Sequence, residues 1–235
     1  MSGKYLDKIK KTVKAVIEKS SRCESDGELY LDTADVSKIL KMRLKYLYPD
    51  TKFSVRSEKY SMGSSISIHW QDGPIADVIH DLARGYQLKR FDGMIDMETI
   101  CKGWLCPDGT METAHIQGTT DSRGIIDEYI ADPPCPGAVL CYGGAGYISA
   151  SRDLSYSTLK WAIDKAFTYY AELKEISKPV VEEKENYKGK TYGLLRNVPT
   201  VQIGNRWLEQ MLYGFAECFD YSKDPYEKVG EVNGW

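Results

Sequence analysis

Lys52-Phe53-Ser54-Val55-Arg56-Ser57-Glu58 and Ser65-Ile66-Ser67-Ile68-His69-Trp70-Gln71 are the two stretches on which the fold turns. Apolar and polar residues alternate in both, and a side-chain period of two marks a strand with one buried face. Phe53 and Val55 share a face of the first run, and Ile66, Ile68 and Trp70 share a face of the second. Lys59-Tyr60-Ser61-Met62-Gly63-Ser64 between them reads as the loop of a β-hairpin. A two-stranded hairpin is marginal in water by itself, so its apolar face requires cover.

Helices to provide that cover are predicted on both sides. Upstream, Asp32 or Thr33 caps a helix to Tyr48 with Val36, Ile39, Leu40, Leu44 and Leu47 on one face, ended by Pro49-Asp50. Downstream, Asp72-Gly73-Pro74 supplies a cap and an N-terminal proline for a helix over 74–84, which Gly85 closes. A third strand is expected at Gly93–Met97 and a fourth at Tyr147–Ala150, followed by a Ser155-capped helix to residue 172. Together these predict an α+β domain over 30–172: an antiparallel sheet of about four strands led by the hairpin, with helices packed mainly on one face. Residues 98–145 hold most of the cysteines and Pro107, Pro133, Pro134 and Pro136, and read as an elaboration of turns and short strands.

Three segments flank that domain. Residues 1–29 form an amphipathic helix, with Leu6, Ile9, Val13, Val16 and Ile17 opposite Lys4, Lys8, Lys11, Lys14 and Lys19, and a polar loop. Residues 173–190 are charged and read as a linker. The section 191–235 adds one or two strands and an apolar helix over 206–219, whose stripe of Trp207, Leu208, Met211, Leu212, Phe215 and Phe219 is expected to pack within the chain.

Bulk properties narrow the function classes. With 42% hydrophobic and 28% charged residues, the 235-residue chain buries a proper core and has no apolar run approaching a membrane span. The charged N-terminus lacks the apolar core of a secretory signal, so a cytoplasmic protein with free thiols at Cys23, Cys101, Cys106, Cys135, Cys141 and Cys218 is expected. A formal charge of −3 argues against both a chain that coats nucleic acid by bulk electrostatics and a strongly acidic nucleic-acid mimic.

The hairpin residues Lys52 to Ser57 and Gly63 to Ile66, followed by His69-Trp70-Gln71-Asp72-Gly73-Pro74 and Phe91-Asp92-Gly93-Met94-Ile95-Asp96, resemble a known family. It is the large polyvalent protein associated domain twenty-nine, found in phage and plasmid proteins. Gly146-Tyr147-Ile148-Ser149-Ala150-Ser151-Arg152-Asp153-Leu154-Ser155 is similar to the family's closing strand, arginine and helix, so the resemblance brackets about residues 30–172. It implies an accessory role in mobile elements that blunts host defences, and it carries no catalytic residues.

Candidate sites follow from residue chemistry. His69 with Asp72, Asp92, Asp96 and Arg152 offers a histidine near carboxylates, an acid–base grouping whose members also serve as caps and turns. Cys101-x4-Cys106 and Cys135-x5-Cys141, with His115 between, supply thiolates in pairs but without the two-residue gap of common zinc sites, and no cofactor is assigned. Lys4, Lys8, Lys11, Lys14, Arg56, Lys59, Lys89, Arg90 and Arg152 are candidates for phosphate or partner contact, with Tyr60 placed to stack on a base. The favoured function is a non-enzymatic blocker of a host defence protein or its nucleic-acid channel, of the anti-CRISPR or anti-restriction type. A nucleic-acid-processing enzyme and a DNA- or RNA-binding accessory protein stand as alternatives.

Overall fold

Apolar residues at every third or fourth position wind Ser2–Lys19 into helix α1, which buries Ile9, Val13 and Val16 and turns its lysines outward. The computed structural model describes residues 2–20, 28–61, 63–92, 97–117, 128–186, 189–223 and 226–228. The chain folds as two units interleaved in sequence. One is built from Met1–Pro49, Phe53–Ile68 and Ile79–Ala150, the other from Asp50–Lys52, His69–Val78 and Ser151–Trp235.

In the first unit, strand β1 (Leu29–Leu31) leads into α2 (Thr33–Leu47). Asp32 is the N-cap, its carboxylate accepting the Ala34 N–H at 3.0 Å and thereby satisfying one of the donors left open at a helix start. The hairpin forms as β2 (Ser54–Tyr60) and β3 (Gly63–Gln71), so its loop is two residues and not six. Lys59 holds the end of β2 by an ion pair to Asp32 at 2.8 Å, and the Tyr60 ring lies against Gly63. Along β3 the alternation is strict: Ser64, Ile66, Ile68 and Trp70 are buried. Phe53 and Val55 are only half-buried, a correction to their expected place in the core; Phe53 sits beside the Tyr48 ring, 6.0 Å between centroids.

The remaining elements are helix α3 (Ala76–Arg84), strands β4 (Lys89–Asp92), β5 (Met97–Ile100), β6 (Gly103–Leu105), β7 (Met111–Thr113), β8 (His115–Gln117), β9 (Glu128–Ile130) and β10 (Val139–Gly143), and finally β11 (Tyr147–Asp153). Residues 93–96, where a third strand was expected, lie outside the described residues; β4 and β5 on either side pair antiparallel. The α+β class holds, with its strands distributed differently. The hairpin sheet has three strands in the order β11-β3-β2. It is mixed: Gly146 bonds to Ser64, Ser149 to Ser67 and Ser151 to His69, and this constant offset of 82 residues means that β11 runs parallel to β3. The turn-rich stretch builds a second sheet, β1-β10-β6-β7, in which β1 is parallel to β10 and the other pairs are antiparallel.

The tight turn between β6 and β7 supports α1 and α2. Gly109 has φ +81 and sits so close to Ile9 and Ile39 that a Cβ there would lie 3.0 Å from both side chains. Arg43 donates to the Asp108 carboxylate at 3.1 Å and to its carbonyl at 3.2 Å, and also bonds Thr110. Partial burial pushes the Asp108 carboxyl up, but hydrogen bonds from the Thr110 backbone and hydroxyl, together with the Arg43 charge, outweigh it and hold the group below the usual carboxylate range.

The second unit is organised by α4 (Tyr156–Tyr169), capped by Ser155 through the Thr158 N–H at 3.3 Å. A 3-10 turn follows at Ala171–Glu175. The segment read as a charged linker contains a strand, β12 (Val180–Glu185), paired antiparallel with β13 (Thr191–Arg196). Its charges escaped a strand reading because they occupy an exposed face, where Arg196 meets Glu182 at 3.2 Å, while Leu195 turns inward. β14 (Gln202–Ile203) pairs with β15 (Arg206–Trp207), then α5 (Leu208–Glu217) leads to β16 (Phe219–Asp220), paired with β17 (Glu227–Lys228). Leu159, Ala162, Ile163 and Ala166 of α4 pack with Leu208, Met211, Leu212 and Phe215 of α5 in one core, as expected of an apolar helix that needs cover. Trp207, expected on that stripe, is the N-cap residue and 45% exposed.

Two outcomes test this architecture. Ile68→Ala should cost about 2–4 kcal/mol in urea unfolding by removing a fully buried side chain, whereas Ser67→Ala on the other face of β3 should stay within about 0.5 kcal/mol. Because the Asp108 carboxyl is depressed in the folded state, its stabilisation is complete above about pH 4 and is lost as pH falls through the lower folded value. The melting-temperature gap between wild type and Asp108→Asn should therefore be widest near pH 6 and close toward pH 3; a constant gap would remove the charge-based account.

Candidate functional site

Lys4, Lys8, Lys11 and Lys14 are all exposed on α1, opposite buried Ile9, Val13 and Val16, because helical spacing sends the two sets to opposite sides. Lys10 joins them. Lys14 lies 3.9 Å from Glu18 in a loose surface pair, and Lys19 bonds Asp35 at 3.0 Å; Lys4, Lys8, Lys10 and Lys11 have no ion-pair partner among the described residues. A second stripe, not singled out from sequence, runs along α2, where Lys38, Lys41 and Lys45 are exposed at the three- and four-residue spacing of one helix face. Their spacing is legible in the sequence, on the side of the helix opposite its apolar face. The two helices hold ten basic and three acidic residues, in a chain of net charge −3.

The other expected contacts fare unevenly. Arg56 is exposed on β2, and Tyr60 is 56% exposed beside the hairpin turn. Lys59 is committed to Asp32, and the pair raises the lysine and lowers the carboxylate through their shared hydrogen bond. Lys89 is half-buried at the start of β4 and lines a cleft of about 720 Å³ with His80, Asp81, Arg84 and Glu112. The Arg90 and Asp92 backbones pair in β4, their side chains lie outside the described residues, and Asp96 is outside altogether.

Arg152 is a correction to both of its proposed roles. Its side chain is 0% exposed and out of reach of a phosphate or substrate. The guanidinium is held by the Glu217 carboxylate at 2.7 Å and the Glu217 carbonyl at 2.9 Å, and by the carbonyls of Phe219 at 2.8 Å and of Gly73 and Pro74 at 3.3 Å. The Tyr221 ring lies 5.2 Å from its Cζ, and Tyr221 N–H bonds Gly73 carbonyl as well. Glu217 and Tyr221 were not foreseen, since they arrive from sequence positions some 65 residues away.

Asp72 likewise serves folding. It has φ 53, and its carboxylate accepts the Ser155 N–H at 2.9 Å, supporting the start of α4 and not of α3. The next residue, Gly73, has φ +71 and lies so near Thr51 that a Cβ would fall 2.6 Å from its hydroxyl, so no other residue fits. His69 is exposed, and its Nδ1 lies 2.5 Å from the Ser151 hydroxyl, a partner the sequence reading did not name. Of the cysteines, the structure brings together Cys106 and Cys135, one from each sequence pair, near enough for their side chains to interact. Cys141 is buried and donates to the Val139 carbonyl at 3.2 Å; Cys101 is half-buried; the His115 side chain lies outside the described residues. Among the described residues no three His, Cys, Asp or Glu side chains gather as a metal would require, and no helix is long and apolar enough to cross a membrane.

If Arg152 is a structural tie, Arg152→Ala should lower unfolding stability by about 3–5 kcal/mol, since it strands several buried carbonyls. Glu217→Gln, at a carboxylate 43% exposed to water, should cost about 1 kcal/mol or less. Equal losses in the two variants would refute that assignment.

Comparison with curated proteins and with solved structures finds no match. Residues 31–157, more than half of the chain, match the family described as large polyvalent protein associated domain 29. That span runs from β1 through the hairpin to the first turn of α4, and leaves α1 and the elements from β12 onward outside it. The motifs around Gly73 and Arg152 that the family match covers are the ones the structure uses to tie its backbone together, and the chain belongs to the large polyvalent protein associated domain 29 family.

Proposed function

We propose that this protein is a non-enzymatic accessory protein of a phage or other mobile element, working in the host cytoplasm, that binds and blocks a host defence protein or its nucleic-acid channel in the anti-CRISPR or anti-restriction manner. Family membership supports the mobile-element setting. The observation that carries the mode of action is charge segregation: nine exposed lysines against three acidic residues on α1 and α2, within a net acidic chain. A surface of that sign is attracted to phosphates, so it engages a defence complex through the nucleic acid held in that complex's channel. Contacts of this kind position without reading sequence, which suits an agent that meets any target.

A plain DNA- or RNA-binding accessory protein would use the same helices and differ only in having no defence partner. The enzyme reading draws on one observation, the Ser151 hydroxyl against His69 Nδ1, the pairing by which a base activates a nucleophile.

Fluorescence anisotropy with labelled single- and double-stranded DNA and RNA tests the surface. Lys4→Glu, Lys8→Glu and Lys11→Glu combined should weaken binding at least tenfold and reduce the slope of log affinity against log salt by about 3, roughly one per lysine. Ser151→Ala should bind as wild type. Binding that survives the triple reversal would sink the α1 surface, and recovery of a defence complex from host lysate only while its nucleic acid is intact would separate a blocker from a plain binder.

A further inference from the structure

We propose that Cys106 and Cys135 form a reversible disulfide, a thiol-oxidation site placed on the turn that supports α1 and α2. The backbone brings the two residues together. Leu105 at the end of β6 pairs with Val139 at the start of β10, so Cys106 continues one strand toward the residues that precede the other. Cys106 opens the β6–β7 turn, its N–H donating to Thr110 carbonyl at 2.8 Å and its carbonyl accepting Gly109 N–H at 2.9 Å. On the facing chain, Ala138 N–H donates to the Cys135 carbonyl at 3.2 Å, a tight turn that folds Cys135 back to the same end of the sheet. Pro107 and Gly137 pack at the crossing, where a Cβ on Gly137 would lie 3.4 Å from the proline ring. The two residues thus meet at one end of the sheet, where the Cys135 side chain acts on the Cys106 thiol, and both are free.

Their unequal burial sets the order of events. Cys135 is half-buried and Cys106 is 5% exposed, so a reagent from solution meets Cys135 first. Burial, reinforced by the neighbouring Cys135, pushes the Cys106 thiol up to about 12, which keeps it from reacting with solvent reagents by itself. A low-molecular-weight disulfide supplies the oxidising equivalents. The Cys135 thiolate attacks one of its sulfurs, forming a mixed disulfide and expelling one small thiolate. The Cys106 sulfur, losing its proton to solvent as it attacks, then displaces the second small thiolate and forms the Cys106–Cys135 bond. Two protein thiols are oxidised, one small disulfide is reduced to two thiols, and the two protons lost from the protein end on them.

The consequence lies in what the turn holds. Asp108 and Thr110 bond Arg43 of α2, Tyr86 donates its hydroxyl to the Gly109 carbonyl, and Gly109 packs against Ile9 and Ile39. Oxidation ties this turn to the start of β10 and closes residues 107–134 into a loop, which restricts the unfolded chain and stiffens the base on which the two basic helices rest. The site stands whatever α1 and α2 bind.

The test uses the full chain, treated with oxidised glutathione, quenched with N-ethylmaleimide and read by intact mass and peptide mapping. The expected product has lost two hydrogens, carries a Cys106–Cys135 linked peptide and melts several degrees higher, all reversed by dithiothreitol. Cys106→Ser should trap glutathione on Cys135, and Cys135→Ser should leave Cys106 unmodified; the second change is at a half-buried position outside the core. Wild-type protein that retains glutathione on Cys135, links other cysteines in preference, or alkylates at both positions with no link would overturn the proposal.

Discussion

Strand β3 is the constraint from which the rest of the first sheet follows. It is the central strand, with β2 on one side and β11 on the other, and its inward positions Ser64, Ile66, Ile68 and Trp70 are all buried. A central strand buried along one face has a fixed register, since slipping it by one residue would send Ile66 and Ile68 to water and Ser65 and Ser67 into the core. The single polar member of the buried set is not left unpaired: the Thr33 hydroxyl donates to the Gly144 carbonyl at 2.8 Å and lies within hydrogen-bond distance of the Ser64 hydroxyl at 2.9 Å, and so also fixes where α2 begins.

Backbone carbonyls explain Arg152 and the Asp72-Gly73-Pro74 turn better than catalysis does. Arg152 satisfies carbonyls from Gly73, Pro74, Glu217 and Phe219, and Asp72 anchors the start of α4. A planar cation with five donors is suited to converging carbonyls and a carboxylate, which a lysine would not match. Arg152 and Asp72, residue types that elsewhere serve catalysis, here hold loops in place.

α1 and α2 each spend one face on the core, where Ile9 and Ile39 meet Gly109, and expose lysines on the other. The charge that would repel itself on an isolated pair of helices is tolerated because packing, and not helix propensity, supplies their stability. Lysines carried on packed helices are presented in a fixed arrangement, which a flexible basic tail does not provide.

Local pattern carried much of this in the linear sequence. The Asp32 and Ser155 caps, the helix periods, the alternation in β3 and the basic face of α1 are all readable because each depends on neighbours within a turn or two of chain. The direction of β11, the second sheet with β1 parallel to β10, the strand hidden in the charged segment at 180–185, the burial of Arg152 and the meeting of Cys106 with Cys135 were decided only by tertiary structure. Each joins residues far apart in sequence, and local pattern contains no information about which distant partner closes a strand edge, neutralises an arginine or approaches a thiol.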